Sequence, residues 1–275
     1  MTKRALDTAF SIKPLLLVGA GNMGTALLTG WRKRGLPAAS VAVLDPQPSE
    51  AARESSRNLF RNLPRHFSPR AIVLAVKPQV IDSILPTILP HLTADVLVLS
   101  IIAGKTIAQL SEGLNGHTNI VRAMPNTPAS ISAAVSGAFR HADVSNADKL
   151  LATRLLEAVG TCVWLDKEMH INAVTALSGS GPAYIFYMIE CLINAGEKLG
   201  LTADVARKLA IETVAGAGAL AKFSEDDVAV LRQKVTSPGG TTQAGLDVLM
   251  SPDGLGTLMR HTLEAANKRA KELGG

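Results

Sequence analysis

The sequence predicts an α/β chain, a doubly wound and largely parallel sheet followed by an all-α domain. Three observations carry the prediction. Short, uninterrupted apolar runs alternate with helix-length segments through the first part of the chain. A glycine-rich turn stands directly after the first run. Beyond Asp166, strand-like runs become rare and helical periods take over.

Taken in order, strands are expected at Leu15–Val18, Val41–Leu44, Ala71–Val76, Val96–Ile102 and Asn119–Ala123. Each is apolar almost throughout, as a strand covered on both faces must be. Helices are expected between them at Met23–Arg34, Val80–Leu89 and Ile107–Leu114. The later part reads as helices near Glu168–Leu177, Ala183–Leu199, Ala203–Lys222, Asp226–Thr236, Thr241–Met250 and Leu255–Leu273. Asp204, Ser224 and Ser251 suit N-cap or near-cap positions, and Gly200 suits a C-cap. The expected organisation is an N-terminal extension over 1–13, a dinucleotide-binding domain over 14–167 and a helical domain over 168–275. Ala173–Leu177 and Ile185–Ile193 carry few charges, and a helix apolar most of the way round must be buried. A lone bundle or an intertwined dimer would bury it, and the shortage of polar surface favours the dimer.

The 275 residues, 47% apolar and 19% charged, suit a globular chain with a real core. Aromatics, at 4%, leave little for stacking against single-stranded nucleic acid. The net charge of +5 is spread along the chain, and its densest basic run is Arg32-Lys33-Arg34. A nucleic-acid reader concentrates its charge more than this. Cys162 and Cys191 are too few for a disulfide framework and suit a reducing compartment. The six histidines show no metal-ligand spacing. No apolar run approaches the roughly 20 residues of a membrane span. Asp7 and Lys13 interrupt the one stretch that resembles an export signal. The expectation is a cytoplasmic protein with no metal, nucleic-acid or membrane partner.

The segment Gly19-Ala20-Gly21-Asn22-Met23-Gly24 follows a strand and opens a helix, the setting of the dinucleotide fingerprint of Rossmann-like domains. The first glycine makes a tight turn, the second admits a pyrophosphate, and the third lets helix and strand pack. Asp45 ends the second strand, 21 residues after Gly24. It can accept from ribose hydroxyls and so favour NADH, or it can simply open a turn before Pro46. Arg53 and Arg57 are close enough in sequence to serve a 2′-phosphate instead. Ala75-Val76-Lys77-Pro78 ends the third strand, where ligands sit in open sheets; Lys77 faces either the cofactor or solvent. Met124-Pro125-Asn126-Thr127-Pro128 is a stiff polar loop that can position a nicotinamide amide or serve as a turn.

Two glycine-rich segments mark the helical part. Ser178-Gly179-Ser180-Gly181-Pro182 precedes the long apolar helix. Thr236-Ser237-Pro238-Gly239-Gly240-Thr241-Thr242 exposes N–H groups and hydroxyls at a helix start, a setting for a small carboxylate. No Lys, Arg or His lies between Ile171 and Glu197. A hydroxy-acid dehydrogenase needs a general base for the alcohol proton. Tyr184 is no natural base at neutral pH, so the chemistry expected here needs no strong base.

These five motifs, in this order and covering nearly the whole chain from Pro14, closely resemble those of the pyrroline-5-carboxylate reductases. The resemblance implies reduction of 1-pyrroline-5-carboxylate to L-proline by NADPH or NADH. It implies a homodimer interlocked through the helical domain, sometimes assembled further. It implies a substrate site of Ser237, Gly240, Thr241 and Thr242 with Glu225, and Thr242 as the residue at the ring nitrogen. The implied cofactor set is Val18, Gly19, Ala20, Gly21, Asn22, Met23, Gly24, Asp45, Ala75, Val76, Lys77, Pro78, Ala103, Met124, Pro125 and Asn126. Two departures stand out. Asp45 replaces a small hydroxyl residue common in NADPH-using relatives, and Arg65–Arg70 replaces the usual acidic lead into the third strand. A protonated cyclic imine is already electrophilic, which agrees with the missing base. A reductase of a related cyclic imine or ketone acid, and a nucleotide-binding sensor without turnover, are the competing readings.

Overall fold

The computed structural model describes residues 13–274; the expected extension over 1–13 lies outside the described residues apart from Lys13. The chain divides into two compact units, one up to Ser180 together with Ala266 onward, the other Gly181–Ala265.

The first unit is built on one eight-stranded sheet. Its strands are β1 (Leu15–Val18), β2 (Val41–Leu44), β3 (Asn58–Phe60), β4 (Ala71–Leu74), β5 (Leu97–Ser100), β6 (Ile120–Met124), β7 (Ala134–Arg140) and β8 (Gly160–Trp164). The order across the sheet is β3-β2-β1-β4-β5-β6-β7-β8. Neighbours are parallel except β6 and β7. β1, β2, β4 and β5 are buried at every residue, as their continuous apolar runs require.

Helices cover both faces. Leu27, Leu28 and Trp31 of α1 (Asn22–Lys33) and Leu151, Leu155 and Leu156 of α5 (Asn146–Glu157) join Leu15, Leu17 and Val43 in one core. The short α2 (Glu50–Ser55) adds Ala52 to it. The opposite face packs Ile81, Leu85 and Ile88 of α3 (Ile81–Ile88) and Ile107 and Leu110 of α4 (Ile107–Gly113) on Leu16, Val18 and Ile72. Each fully buried leucine contributes about 2 kcal/mol. The indole of Trp31 donates to the Leu155 carbonyl at 2.9 Å, tying α1 to α5.

Strand order reverses between β2-β1 and β4-β5-β6, which makes the C-terminal ends of β1 and β4 the topological switch point where such sheets bind ligands. β3, β7 and β8 were not expected from the sequence. β3 is three half-exposed residues, Gly137 interrupts β7, and β8 starts at Gly160 and alternates half-buried with exposed residues, so no continuous apolar run marks them. The strand expected over Val96–Ile102 is narrower, at Leu97–Ser100.

The helical segment expected at Glu168–Leu177 is α6 (His170–Val174) running into a single π-turn at Thr175–Gly179. The second unit holds α7 (Gly181–Lys198), α8 (Ala203–Phe223), α9 (Val228–Lys234) and α10 (Thr241–Leu249), and the start of α11 (Leu255–Gly274). α7 and α8 pack as a hairpin whose turn uses Gly200 at φ +96°, the expected C-cap. Thr202 is the N-cap of α8, with Asp204 near it in the first turn, and Ser224 ends the helix. Asp227 caps α9 through the Ala229 N–H at 2.8 Å. Against the expectation of no apolar run near that length, His170–Lys198 reaches by length and hydropathy alone the size of a membrane crossing.

Candidate functional site

The glycine-rich turn is built as its chemistry demands. Gly19 takes φ +91°, and a β-carbon there would meet Val76 Cγ1 at 2.7 Å and the Ala75 carbonyl oxygen at 2.8 Å. Ala75 and Val76 therefore form the wall against which β1 turns. The Ala75 N–H donates to the Val18 carbonyl at 2.8 Å and locks the two strand ends together. A β-carbon on Gly24 would lie 2.2 Å from the Gly19 oxygen, so α1 and β1 meet only because that carbon is absent. At Gly21 a β-carbon would meet nothing within 4 Å. That glycine faces open space, the space a pyrophosphate needs.

Gly21 is the N-cap of α1 and supplies no side-chain acceptor, and no acidic residue stands in the first turn. The helix presents unpaired N–H groups and the positive end of its dipole to a cleft of about 590 Å³. Ala20, Gly21, Asn22, Thr25, Asp45, Gln47, Ser49 and Ser130 are among its lining. Asp45 is fixed by two backbone donors, Ala20 N–H to Oδ2 at 2.6 Å and Gln47 N–H to Oδ1 at 2.7 Å. A carboxylate oxygen has two lone pairs, so each can still accept from a ribose hydroxyl. These residues fit a dinucleotide: an anion site, open space over Gly21 and an acceptor at the end of β2.

The remaining expected cofactor residues are not among the cleft's lining. Met23 turns its side chain into the core under α1. Lys77 is exposed and starts a 3-10 turn with Pro78 in its first position. Ala103 is half-buried, just before Gly104 at φ +79°. Met124 ends β6, and Pro125 and Asn126 are buried. The Asn126 carboxamide accepts from Val135 N–H at 3.0 Å and donates to the Ser178 carbonyl at 3.1 Å. It clasps the π-turn. Thr25, Gln47, Ser49 and Ser130 were not singled out in the sequence. Ser49 carries a local signal, the Ser-Glu start of α2, where its hydroxyl accepts from Ala52 N–H. Ser130 carries none, because only the tertiary fold brings it to the cleft.

The second unit holds the Ser237–Thr242 turn. Gly239 takes φ +69°, and Gly240 is the N-cap of α10 with no side chain to offer its first-turn N–H groups. A β-carbon on Gly240 would lie 2.5 Å from Ser237 Oγ, so the serine hydroxyl folds directly over the glycine. Ser237, Thr241 and Thr242 are exposed. The result is an uncapped helix N-terminus ringed by hydroxyls, suited to a carboxylate. Glu225 is exposed in the connection between α8 and α9.

Burial raises the Cys162 thiol to about 11, with Glu157 adding to the effect, so it is no nucleophile near neutral pH. Among the described residues no group of three or more His, Cys, Asp or Glu is placed to hold a metal ion.

Sheet order, switch-point cleft and uncapped glycine turn define a dinucleotide-binding protein. Residues 15–104 match the family model described as NADP oxidoreductase, coenzyme F420-dependent. Residues 168–273 match the model for pyrroline-5-carboxylate reductase dimerisation. The chain is 40% identical to a pyrroline-5-carboxylate reductase of Pseudomonas aeruginosa, over 94% of this chain and 96% of that protein. It superposes on a pyrroline-5-carboxylate reductase from Coxiella burnetii with TM-score 0.89 and 36% identity, over 96% of this chain and 99% of that one. A Plasmodium falciparum pyrroline carboxylate reductase, solved with NADP bound, gives 0.83 and 30%, over 96% and 99%. The chain belongs to the pyrroline-5-carboxylate reductase family.

Proposed function

We propose that this chain reduces 1-pyrroline-5-carboxylate to L-proline at the expense of NAD(P)H, the last step of proline synthesis. The observation that carries the reading is the Ser237–Thr242 turn, an uncapped helix start ringed by hydroxyls in a chain of this family. When bound, the dihydronicotinamide supplies a hydride, two electrons and one hydrogen, to the imine carbon. The protonated ring nitrogen thereby becomes an amine without removal of a proton by a base.

The protein's own residues orient and neutralise. N–H groups at Gly240–Thr242 and the dipole of α10 hold the substrate carboxylate. The Thr242 hydroxyl bonds the ring nitrogen, and Glu225 serves the substrate. Val18–Gly24, Asp45, Ala75–Pro78, Ala103 and Met124–Asn126 serve the cofactor, with Asn126 acting through the π-turn it clasps. The dinucleotide domain over 14–167 and the helical domain over 168–275 are supported by the two family models. The second copy of a homodimer covers the exposed apolar side chains of the helical domain. Two free cysteines suit the cytoplasm.

The test is initial rate with pyrroline-5-carboxylate and either cofactor. Proline formation supports the reading; turnover only with a piperideine carboxylate moves it to a related cyclic imine acid. Nucleotide binding with no turnover moves it to a sensor. Thr242→Ala is expected to lower kcat/KM about 10- to 1,000-fold, as loss of a transition-state hydrogen bond does; an unchanged value removes that role.

A further inference from the structure

The last turn of α11 closes on the connection between β5 and α4. Residues from Ala266 onward belong to the first unit, although α11 starts in the second. Gly104 takes φ +79°, and a β-carbon there would lie 2.6 Å from the Leu273 carbonyl oxygen. Backbone meets backbone, and a side chain at 104 would prevent it. Gln109 completes the junction. Its Nε2 donates to the Gly274 carbonyl at 3.0 Å, one of the carbonyls that a helix end leaves without a partner of its own. Its Oε1 accepts from Thr106 N–H at 2.9 Å, while Thr106 Oγ1 accepts from Gln109 N–H at 3.2 Å. One carboxamide thus caps α4 and grips the end of α11.

The connection held in this way stands at the C-terminal edge of the sheet, the edge where ligands bind. Ile101 N–H donates to the Leu74 carbonyl at 3.0 Å, so the turn after β5 starts beside the turn after β4, whose Ala75 walls Gly19. Further on, Lys105 Nζ reaches Asp82 Oδ1 at 3.1 Å, and Glu168 accepts from Ile107 N–H. Ala103 and Gly104 lie between these anchors. Asp45 stands three strands away across β1 and β4, about 14 Å at the usual spacing of neighbours. With the adenosine ribose at Asp45, the turn after β5 is on the side left for the nicotinamide.

We propose that Gln109 is a positioning residue for hydride transfer: it clamps the last turn of α11 against Gly104 and so fixes the turn that carries Ala103. It touches neither cofactor nor substrate. The proposal rests on the nucleotide reading of the cleft and adds an outer support to it. Such a support matters to the rate because a small displacement at the reacting end misaligns hydride donor and imine carbon.

Two variants break the tie from opposite sides. Gln109→Glu keeps the acceptor that caps α4 and places a negative charge in its first turn, where the helix dipole favours it. The same charge faces the negative end of α11 and offers no proton to the Gly274 carbonyl. A chain ending at Glu272 removes that carbonyl instead. Each variant is expected to speed amide hydrogen exchange over residues 101–105 several-fold. Each should lower kcat at saturating cofactor about tenfold. Calorimetric 5′-AMP affinity, set at the Asp45 end, should stay within about twofold, and the thermal midpoint should move by less than about 4 °C. Combined, the two changes should lose no more than either alone, because they break one tie. Losses that multiply, a truncated chain with unchanged exchange and kcat, or 5′-AMP affinity that falls along with kcat overturns the assignment. An unmodified chain that binds neither 5′-AMP nor NADPH overturns the nucleotide reading, and this assignment with it.

Discussion

A single β-carbon separates the roles of the fingerprint glycines. On Gly24 it would meet the Gly19 oxygen at 2.2 Å, backbone that cannot swing away, so Gly24→Ala forces α1 off β1. The expected cost is about 1–3 kcal/mol of stability, measured by urea denaturation, with nucleotide binding lost alongside it. On Gly21 the carbon meets no protein atom within 4 Å, and φ −69° suits alanine. Gly21→Ala should therefore unfold within about 0.5 kcal/mol of the parent yet bind nucleotide several-fold more weakly. Equal losses in both variants would show that Gly21 does not face the pyrophosphate. Cys162 gives a second residue-scale expectation. Burial holds its thiol protonated up to about pH 11, so iodoacetamide should leave it untouched at pH 8 and react only as the pH climbs toward that value. Such residues differ in how far the sequence reveals them. The glycines are legible because their constraints are local. Gln47 and Ser130 reach the cleft only through the fold, and Asn126 looks the same in sequence whether it meets a cofactor or clasps a turn.

Between elements, one buried ion pair joins sheet and helices. Arg122 of β6 is 5% exposed and donates through Nη1 to Glu168 Oε1 at 2.9 Å. The same oxygen accepts from Ile107 N–H at 2.8 Å, at the start of α4. Glu168 thus neutralises a buried guanidinium and occupies the positive end of a helix in one contact. Glu168→Ala leaves both donors unmatched and should cost about 2–4 kcal/mol in urea denaturation, at the lower side of buried pairs because the carboxylate is 26% exposed. Glu168→Gln, which keeps an acceptor, should cost less. Nothing in the local sequence announces this pair, since Arg122 sits in an apolar strand and Glu168 is 46 residues away. The central strands are the opposite case. β1, β2, β4 and β5 are apolar runs because both faces are covered, and the pattern is read directly. Toward the edges the apolar signal fades for the same cause. β8 alternates half-buried and exposed residues, and β7 carries Ser136, Gly137 and Arg140, so neither differs visibly from a loop.

At the scale of the whole molecule, apolar surface is the quantity left unbalanced. Phe186 and Tyr187 on α7 are 60% and 67% exposed, and Leu209 and Phe223 on α8 are 54% and 80% exposed. Scattered exposed apolar residues are ordinary, but a helix pair with this many is a surface made to be covered. Two covers are physically open to it. Lipid is one, because His170–Lys198 has the length and hydropathy of a crossing. A second copy is the other, and obligate homodimer interfaces resemble a core cut in half. The family model matched over 168–273 is one of dimerisation, which supports the second. Charge placed on the face discriminates between them. Phe186→Glu with Tyr187→Glu buries two unpaired carboxylates in a dimer, a cost that exceeds what a marginal association tolerates. Sedimentation in detergent-free buffer should give the unmodified chain at a multiple of 28.8 kDa and the variant at 28.8 kDa itself. Proline formation should fall with the mass. A parent chain that sediments as a monomer, or that stays in solution only with detergent, would reject the paired arrangement. A variant that remains paired would place the interface on another face of these helices.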